Sequence, residues 1–155
     1  MLYWLNILAA TGKSAKELLY DLWNEFGRVF YTQFSYEGVD KNKADEMARR
    51  VRETSYVGQF GIVSQENVSY TDPATGETVH TDGIEFKTQD GRFFFRLSGT
   101  GTQGATLRFY AEKHETDTAQ FDMPSREYLA TFLEIIENIF QVNKTFDNPK
   151  ITVAM

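Results

Sequence analysis

The sequence predicts an α+β fold, an antiparallel sheet of about four strands covered by helices, and three features point to it. Leu107, Phe109 and Ala111 alternate with Arg108, Tyr110 and Glu112, the two-residue period of a strand with one buried face. Leu129, Phe132, Leu133, Ile136, Ile139 and Phe140 recur instead at helical spacing and give residues 125–142 a broad apolar face. Asp72-Pro73-Ala74-Thr75-Gly76 and Gln89-Asp90-Gly91-Arg92 have the turn chemistry of short reversals, which join antiparallel strands.

Taken in order, residues 2–10 are apolar but lack a basic leader and a small-residue cleavage site, and they are too few to span a bilayer. They read as a short helix made for a core. Ser14 and Glu17 are spaced as a capping box, opening a helix on which Leu18, Leu19, Leu22, Trp23 and Phe26 share a face, and Gly27 stands where it stops. Residues 29–36 alternate as a strand. Asp40 can cap a heavily charged helix reaching about Glu53, whose only apolar stripe is Ala44, Met47, Ala48 and Val51, so this helix lies at a surface. Residues 60–70 and 84–88 suit two further strands.

Composition limits what such a fold can serve. A chain of 155 residues with 41% apolar and 15% aromatic content suffices for one compact core, and there is no repeat or linker to divide it. The net charge of −6 argues against a nucleic-acid surface, which needs a basic face. With no cysteine, disulfides, thiolate chemistry and cysteine-based zinc sites are excluded, which fits a reducing compartment. Asn67-Val68-Ser69 and Asn143-Lys144-Thr145 match the glycosylation sequon without a secretion signal to support it. His80 and His114 have no partner at metal-ligand spacing and read as ordinary surface residues.

Residues 92–110 concentrate the polar chemistry. Two strand-like runs flank a loop rich in glycine and hydroxyl groups, with Arg96 and Arg108 on either side. Glycines let several backbone N–H groups turn toward one anion, Ser98, Thr100 and Thr102 offer hydroxyl donors, and guanidinium groups add charge and forked hydrogen bonds. The pattern is that of a phosphate cradle. Gly99, Gly101 and Gly104 also satisfy G-x-G-x-x-G, but the strand after Gly104 removes a dinucleotide-binding reading, which needs a helix there. A protein kinase would need His-Arg-Asp and Asp-Phe-Gly segments, and neither is present. On residue chemistry alone a ligand-free glycine hairpin stays open, since two arginines on a strand can equally be solvated or paired with acids.

Arg96-Leu97-Ser98-Gly99-Thr100-Gly101, with Gly104-Ala105-Thr106, Arg108 and Tyr110, resembles the phosphate-binding loop in the last domain of the α-D-phosphoglucomutases, phosphohexomutases that interconvert glucose 1-phosphate and glucose 6-phosphate. Trp4-Leu5-Asn6-Ile7-Leu8-Ala9 is similar to the helix ending the family's third domain. Phe26-Gly27-Arg28, Tyr36-Glu37, Ser69-Tyr70-Thr71-Asp72-Pro73, Gly76, Gly83 and Asp90-Gly91 extend the likeness over essentially the whole chain.

The resemblance implies that residues 1–13 are a remnant of the preceding domain and 14–155 a carboxy-terminal, substrate-phosphate-binding domain. It implies that Arg96, Ser98, Gly99, Thr100, Gly101 and Arg108 hold the phosphate not being transferred, with glucose 1-phosphate, glucose 6-phosphate and glucose 1,6-bisphosphate as ligands and the remaining domains of the parent enzyme as partners. The family's Thr-Ala-Ser-His-Asn, Asp-x-Asp-x-Asp and Gly-Glu-Glu-Ser segments, which carry the phosphoserine, the magnesium ion and sugar recognition, are not in this sequence. The expectation is therefore a chain inactive by itself and holding no cofactor, magnesium belonging to the full-length enzyme, in the cytoplasm, without nucleic-acid or membrane partners. The alternative is a free-standing, non-catalytic module that binds phosphate or sugar phosphate, or that serves as an interaction protein. Val29, Gln33 and Ser35 depart from the family's Asn, Arg and Asp, and Thr102-Gln103 from its small pair.

Overall fold

The computed structural model describes residues 2–99 and 104–154. The chain divides into two compact units, residues 1–29 with 114–123, and residues 30–113 with 124–155.

The first unit holds α1 (Leu2–Thr11) and α2 (Ala15–Phe26). The expected capping box is present: Ser14 Oγ accepts from the Glu17 N–H and the Glu17 carboxylate accepts from the Ser14 N–H, at 3.3 and 2.7 Å. Trp23 meets Phe121 edge-on at 5.9 Å and carries the Arg28 guanidinium 4.7 Å from its ring centre. Arg28 also donates to the carbonyls of Phe121 and Met123, and the Tyr20 hydroxyl donates to Asp122. No described residue of α1 or α2 is buried, and Leu22 and Phe26 are 50% and 61% exposed. Helical periodicity identifies a face that would leave water, but not whether anything covers it.

The second unit is built on a six-stranded sheet in the order β2-β3-β4-β5-β1-β6, so the α+β expectation holds with a larger sheet than the foreseen four or so. Its strands are β1 (Arg28–Val39), β2 (Ser64–Thr71), β3 (Thr78–Lys87), β4 (Gly91–Ser98), β5 (Ala105–Glu115) and β6 (Ile151–Ala154). The pairs β2–β3, β3–β4, β4–β5 and β1–β6 are antiparallel. Four residues cannot display a period, which is why β6 escapes sequence reading. β2 starts later than expected because Gly58, Phe60 and Gly61 take positive φ and a turn closes from the Gly58 N–H to the Ile62 carbonyl at 2.8 Å.

Helix α3 (Lys41–Glu53) is capped by Asp40, whose carboxylate accepts from the Lys43 N–H, and its stripe of Ala44, Met47, Ala48 and Val51 is buried as expected. The single helix foreseen over residues 125–142 is three: α4 (Ser125–Tyr128), α5 (Ala130–Phe140) and α6 (Val142–Phe146). Gln141 takes a left-handed φ of 54°, and its N–H closes on Glu137 O at 2.9 Å, which ends α5 inside an apolar run. Phe132 and Phe140 of α5 meet Phe93, Phe95 and Phe109 of the sheet at centroid distances of 5.9, 4.6 and 4.8 Å. Each such ring, fully buried, contributes about 1.5–3 kcal/mol. The apolar anchoring lies on this one face of the sheet. The alternate residues of the central strands, including Tyr31, Arg92, Arg96 and Tyr110, are exposed on the other.

Candidate functional site

β4 and β5 run antiparallel into the glycine loop, and their register decides what meets there. Arg96 pairs directly with Arg108, Ser98 with Thr106, and Leu97 with Leu107. Because side chains alternate, buried Leu107 belongs to the core face while Arg96, Arg108, Ser98 and Thr106 belong to the open one. Directly opposed residues of antiparallel strands stand about 4.5–5.5 Å apart at Cα, so the two arginine side chains leave the same face of the sheet side by side. Like charges in that position oppose sheet formation. Among the described residues neither arginine has an ion pair or hydrogen bond. A pair of cations left unneutralised beside a glycine turn is an arrangement an anion would complete.

The glycines flanking the turn are fixed by close approach. Gly99 has φ 135°, and a β-carbon there would stand 2.9 Å from the Gly104 carbonyl oxygen and 3.1 Å from Ala105 Cα, so the two limbs of the loop can close only without a side chain. Gly104, at φ 84°, would place a β-carbon 3.0 Å from the Val39 carbonyl oxygen and 3.2 Å from Gly38 Cα. Gly104 is thus seated on the backbone at the end of β1. Thr100, Gly101 and Thr102, expected to contribute hydroxyl and N–H donors, lie outside the described residues.

On the helix side of the loop a cleft of about 300 Å³ opens between Ser98 and Gly99 and the α3 residues Lys41, Asp45 and Arg52. Lys41 is paired with Asp45 at 2.7 Å. Thr106 is part of the loop motif, but its place opposite Ser98 is visible only once the register is known, and sequence reading did not single out this wall of α3, whose charged residues carry no signal of their own beyond a solvated helix.

Further along the open face, away from the loop, charges are paired. Arg92 donates to Glu112 at 2.6 Å and to Glu85 at 2.8 Å, and Lys87 reaches Glu85 at 3.1 Å. Partial burial of Glu85 opposes its ionisation, but the hydrogen bonds and charges of Lys87 and Arg92 prevail and hold its carboxyl below the usual range. The hydrogen bonds that Arg92 donates to Glu112 and Glu85 hold its guanidinium pKa above the usual range. The contrast is informative: the same face neutralises Arg92 and, among the described residues, offers Arg96 and Arg108 no counter-ion. Among the described residues no cluster of three or more His, Cys, Asp or Glu side chains could hold a metal ion, and no helix is long and apolar enough to cross a membrane.

Comparison with known proteins covers the same region. The family model described as the phosphoglucomutase-1 C-terminal domain matches residues 28–150. A phosphoglucomutase of Rhizobium radiobacter is 36% identical over 147 residues, covering 90% of this chain and 27% of that protein. Human phosphoglucomutase-1 is 32% identical over 157 residues, covering 93% of this chain and 28% of its own length. The crystal structure of the Paramecium exocytosis-sensitive phosphoprotein pp63/parafusin, a phosphoglucomutase in its open form, aligns with a TM-score of 0.82 at 29% identity over 96% of this chain and 28% of that one. The chain therefore spans 27% and 28% of the length of these two curated relatives.

Proposed function

This chain belongs to the phosphoglucomutase-1 C-terminal domain family, and from that premise we propose that it is the substrate-phosphate-binding part of a phosphoglucomutase interconverting glucose 1-phosphate and glucose 6-phosphate. In this reading Arg96, Ser98, Gly99, Thr100, Gly101 and Arg108 hold the phosphate that is not being transferred. Residues 1–13 end the preceding domain, and 14–155 form the phosphate-binding one. The observation that carries the reading is the direct pairing of Arg96 with Arg108 without a counter-ion among the described residues.

The chemistry follows from the residue types. A site that takes the 1-phosphate in one half of the reaction and the 6-phosphate in the other must recognise phosphate and be indifferent to the sugar carbon that bears it. Guanidiniums, hydroxyls and backbone N–H groups meet that need, because each addresses only the anionic oxygens. Gripping one end of a bisphosphate positions the other, converting binding into orientation of the reacting group. This reading assigns magnesium to other parts of a longer enzyme. Hexose phosphates and the rest of that enzyme are its partners, and the cytoplasm its compartment.

NMR titration of the chain with inorganic phosphate and with glucose 1-phosphate tests the reading. Both should shift the amides of Ser98, Gly99 and Gly104, with dissociation constants on the order of millimolar because the sugar contacts are absent. Shifts confined to other regions would overturn it. The purified chain should show no mutase turnover with or without magnesium, and turnover that copurifies with it through successive columns would contradict the assignment.

A further inference from the structure

The open face carries a second cleft, of about 370 Å³, around Tyr31 and Gln33 of β1, Arg92 and Phe94 of β4, and Tyr110 and Glu112 of β5. Small-molecule sites begin at about 300 Å³. The Phe94 and Tyr110 rings lie with centroids 6.2 Å apart, inclined at 38°. Room for Phe94 comes from Gly83 on β3, where any β-carbon would collide with that ring. Tyr31 is 63% exposed and Tyr110 37% exposed, so aromatic surface is turned to solvent and not into the core. Single exposed rings need no explanation, but two exposed tyrosines beside the half-buried Phe94 around one cleft do.

Charge narrows the ligand. Arg92 and Lys87 are matched by Glu85 and Glu112, so this end of the face is balanced and calls for no anion, unlike the bare arginines by the loop. What remains are aromatic faces beside flat polar groups. Gln33 donates its amide N–H to Ser35 at 2.7 Å, which leaves the amide oxygen facing no protein donor among the described residues. A pyranose ring has the complementary form: one face of C–H groups to lie on an aromatic ring, and neighbouring hydroxyls at its rim to meet a carboxylate, an amide or a guanidinium. Charged sugars would gain nothing here, and an apolar peptide would strand the polar rim without partners. We infer that this cleft is a binding site for a neutral sugar ring, a glucoside or the end of a glucan, separate from the phosphate cradle. Phe94 and Tyr110 stand two residues, about 7 Å, from Arg96 and Arg108 on the same strands, so the two sites adjoin on this face and are told apart by charge, balanced around this cleft and uncompensated among the described residues beside the loop.

The site is tested on the chain itself by NMR titration with maltotriose and with methyl α-glucoside. Maltotriose should shift amides around Tyr31, Phe94 and Tyr110 while leaving Gly99 and Gly104 unmoved, and inorganic phosphate should do the reverse. Tyr31→Ala and Tyr110→Ala should each weaken maltotriose binding roughly tenfold, in keeping with the worth of an aromatic contact, and Tyr31→Phe should retain it. Arg96→Ala should leave it unchanged, so failure of the cradle and failure of this site are told apart. If Tyr110→Ala does not fold, Tyr31→Ala decides, because that side chain is largely in solvent. Absence of shifts at this cleft with either sugar at about 50 mM, well above a weak dissociation constant, or undiminished binding by Tyr31→Ala, overturns the inference.

Discussion

The imidazole Nε2 of His114 occupies the place where a β-carbon on Gly27 would stand, and from there its N–H donates to the Phe26 carbonyl at 2.7 Å. The last residue of α2 is thus capped by a side chain 88 positions away in sequence, which fits only because Gly27 lacks a side chain and takes φ 81°. Gly27→Ala should destabilise the protein by on the order of 2–3 kcal/mol, combining left-handed strain with displacement of the ring. His114→Ala removes the hydrogen bond alone and should cost about 0.5–1.5 kcal/mol. Urea denaturation of both variants checks the order, and equal losses would show that the ring does not depend on the glycine.

Arg96→Ala or Arg108→Ala should weaken phosphate binding by about 1.5–3 kcal/mol, the worth of a hydrogen bond to a charged group. Stability should move the other way. Removing one of two opposed cations relieves a repulsion of about 0.2–1 kcal/mol, so either variant should melt no lower than the parent. Calorimetry and thermal melts together are decisive, since a variant that loses both binding and stability would mark the arginines as structural.

Phosphate binding should strengthen as pH rises through about 6, where phosphate gains its second charge, because arginine stays protonated throughout this range. Titrations at pH 5 and 7.5 measure this. A flat profile would mean that the dianion is not the species held.

Glu85 supplies a stability term of its own pH dependence. Its folded carboxyl ionises more readily than the ordinary value of 4.5, so its contribution is fully present above that value and is lost as pH falls through the lower folded one. Glu85→Gln should cost on the order of 1 kcal/mol at pH 7, discounted because Arg92 and Lys87 are substantially exposed, and the difference from the parent should shrink as pH falls below 4.5 and vanish once the folded carboxyl is protonated. Chemical denaturation across that window provides the check.

Gln141→Gly should raise stability by up to about 1 kcal/mol, since a left-handed φ of 54° strains glutamine and not glycine. A lower melting temperature would show that the glutamine side chain has an unrecognised role.

Local chemistry was legible in the sequence wherever a residue acts on its near neighbours. Ser14 with Glu17, Asp40 as a helix cap, and the alternation of Leu107, Phe109 and Ala111 all reappear as read. What was hidden depends on partners distant in sequence. Nothing near Gln141 announces a left-handed residue between apolar runs, and β6 is held by its pairing with β1, not by its own period. In the candidate site, Arg96 and Arg108 could be chosen from the motif, but that they stand opposite each other is a property of the β4–β5 register. The exposed apolar face of α2 shows the converse limit, that a pattern states a need without stating how it is met.

The sheet of the second unit has its apolar anchors on one face only, and this separates two kinds of heredity. Substitutions at Phe93, Phe95, Leu107 or Phe109 are constrained by the core, whereas Arg96, Arg108 and Tyr110 sit on the same strands at alternate positions outside it. Descendants of such a chain can exchange what they bind one residue at a time, along strands whose other face keeps the scaffold unchanged.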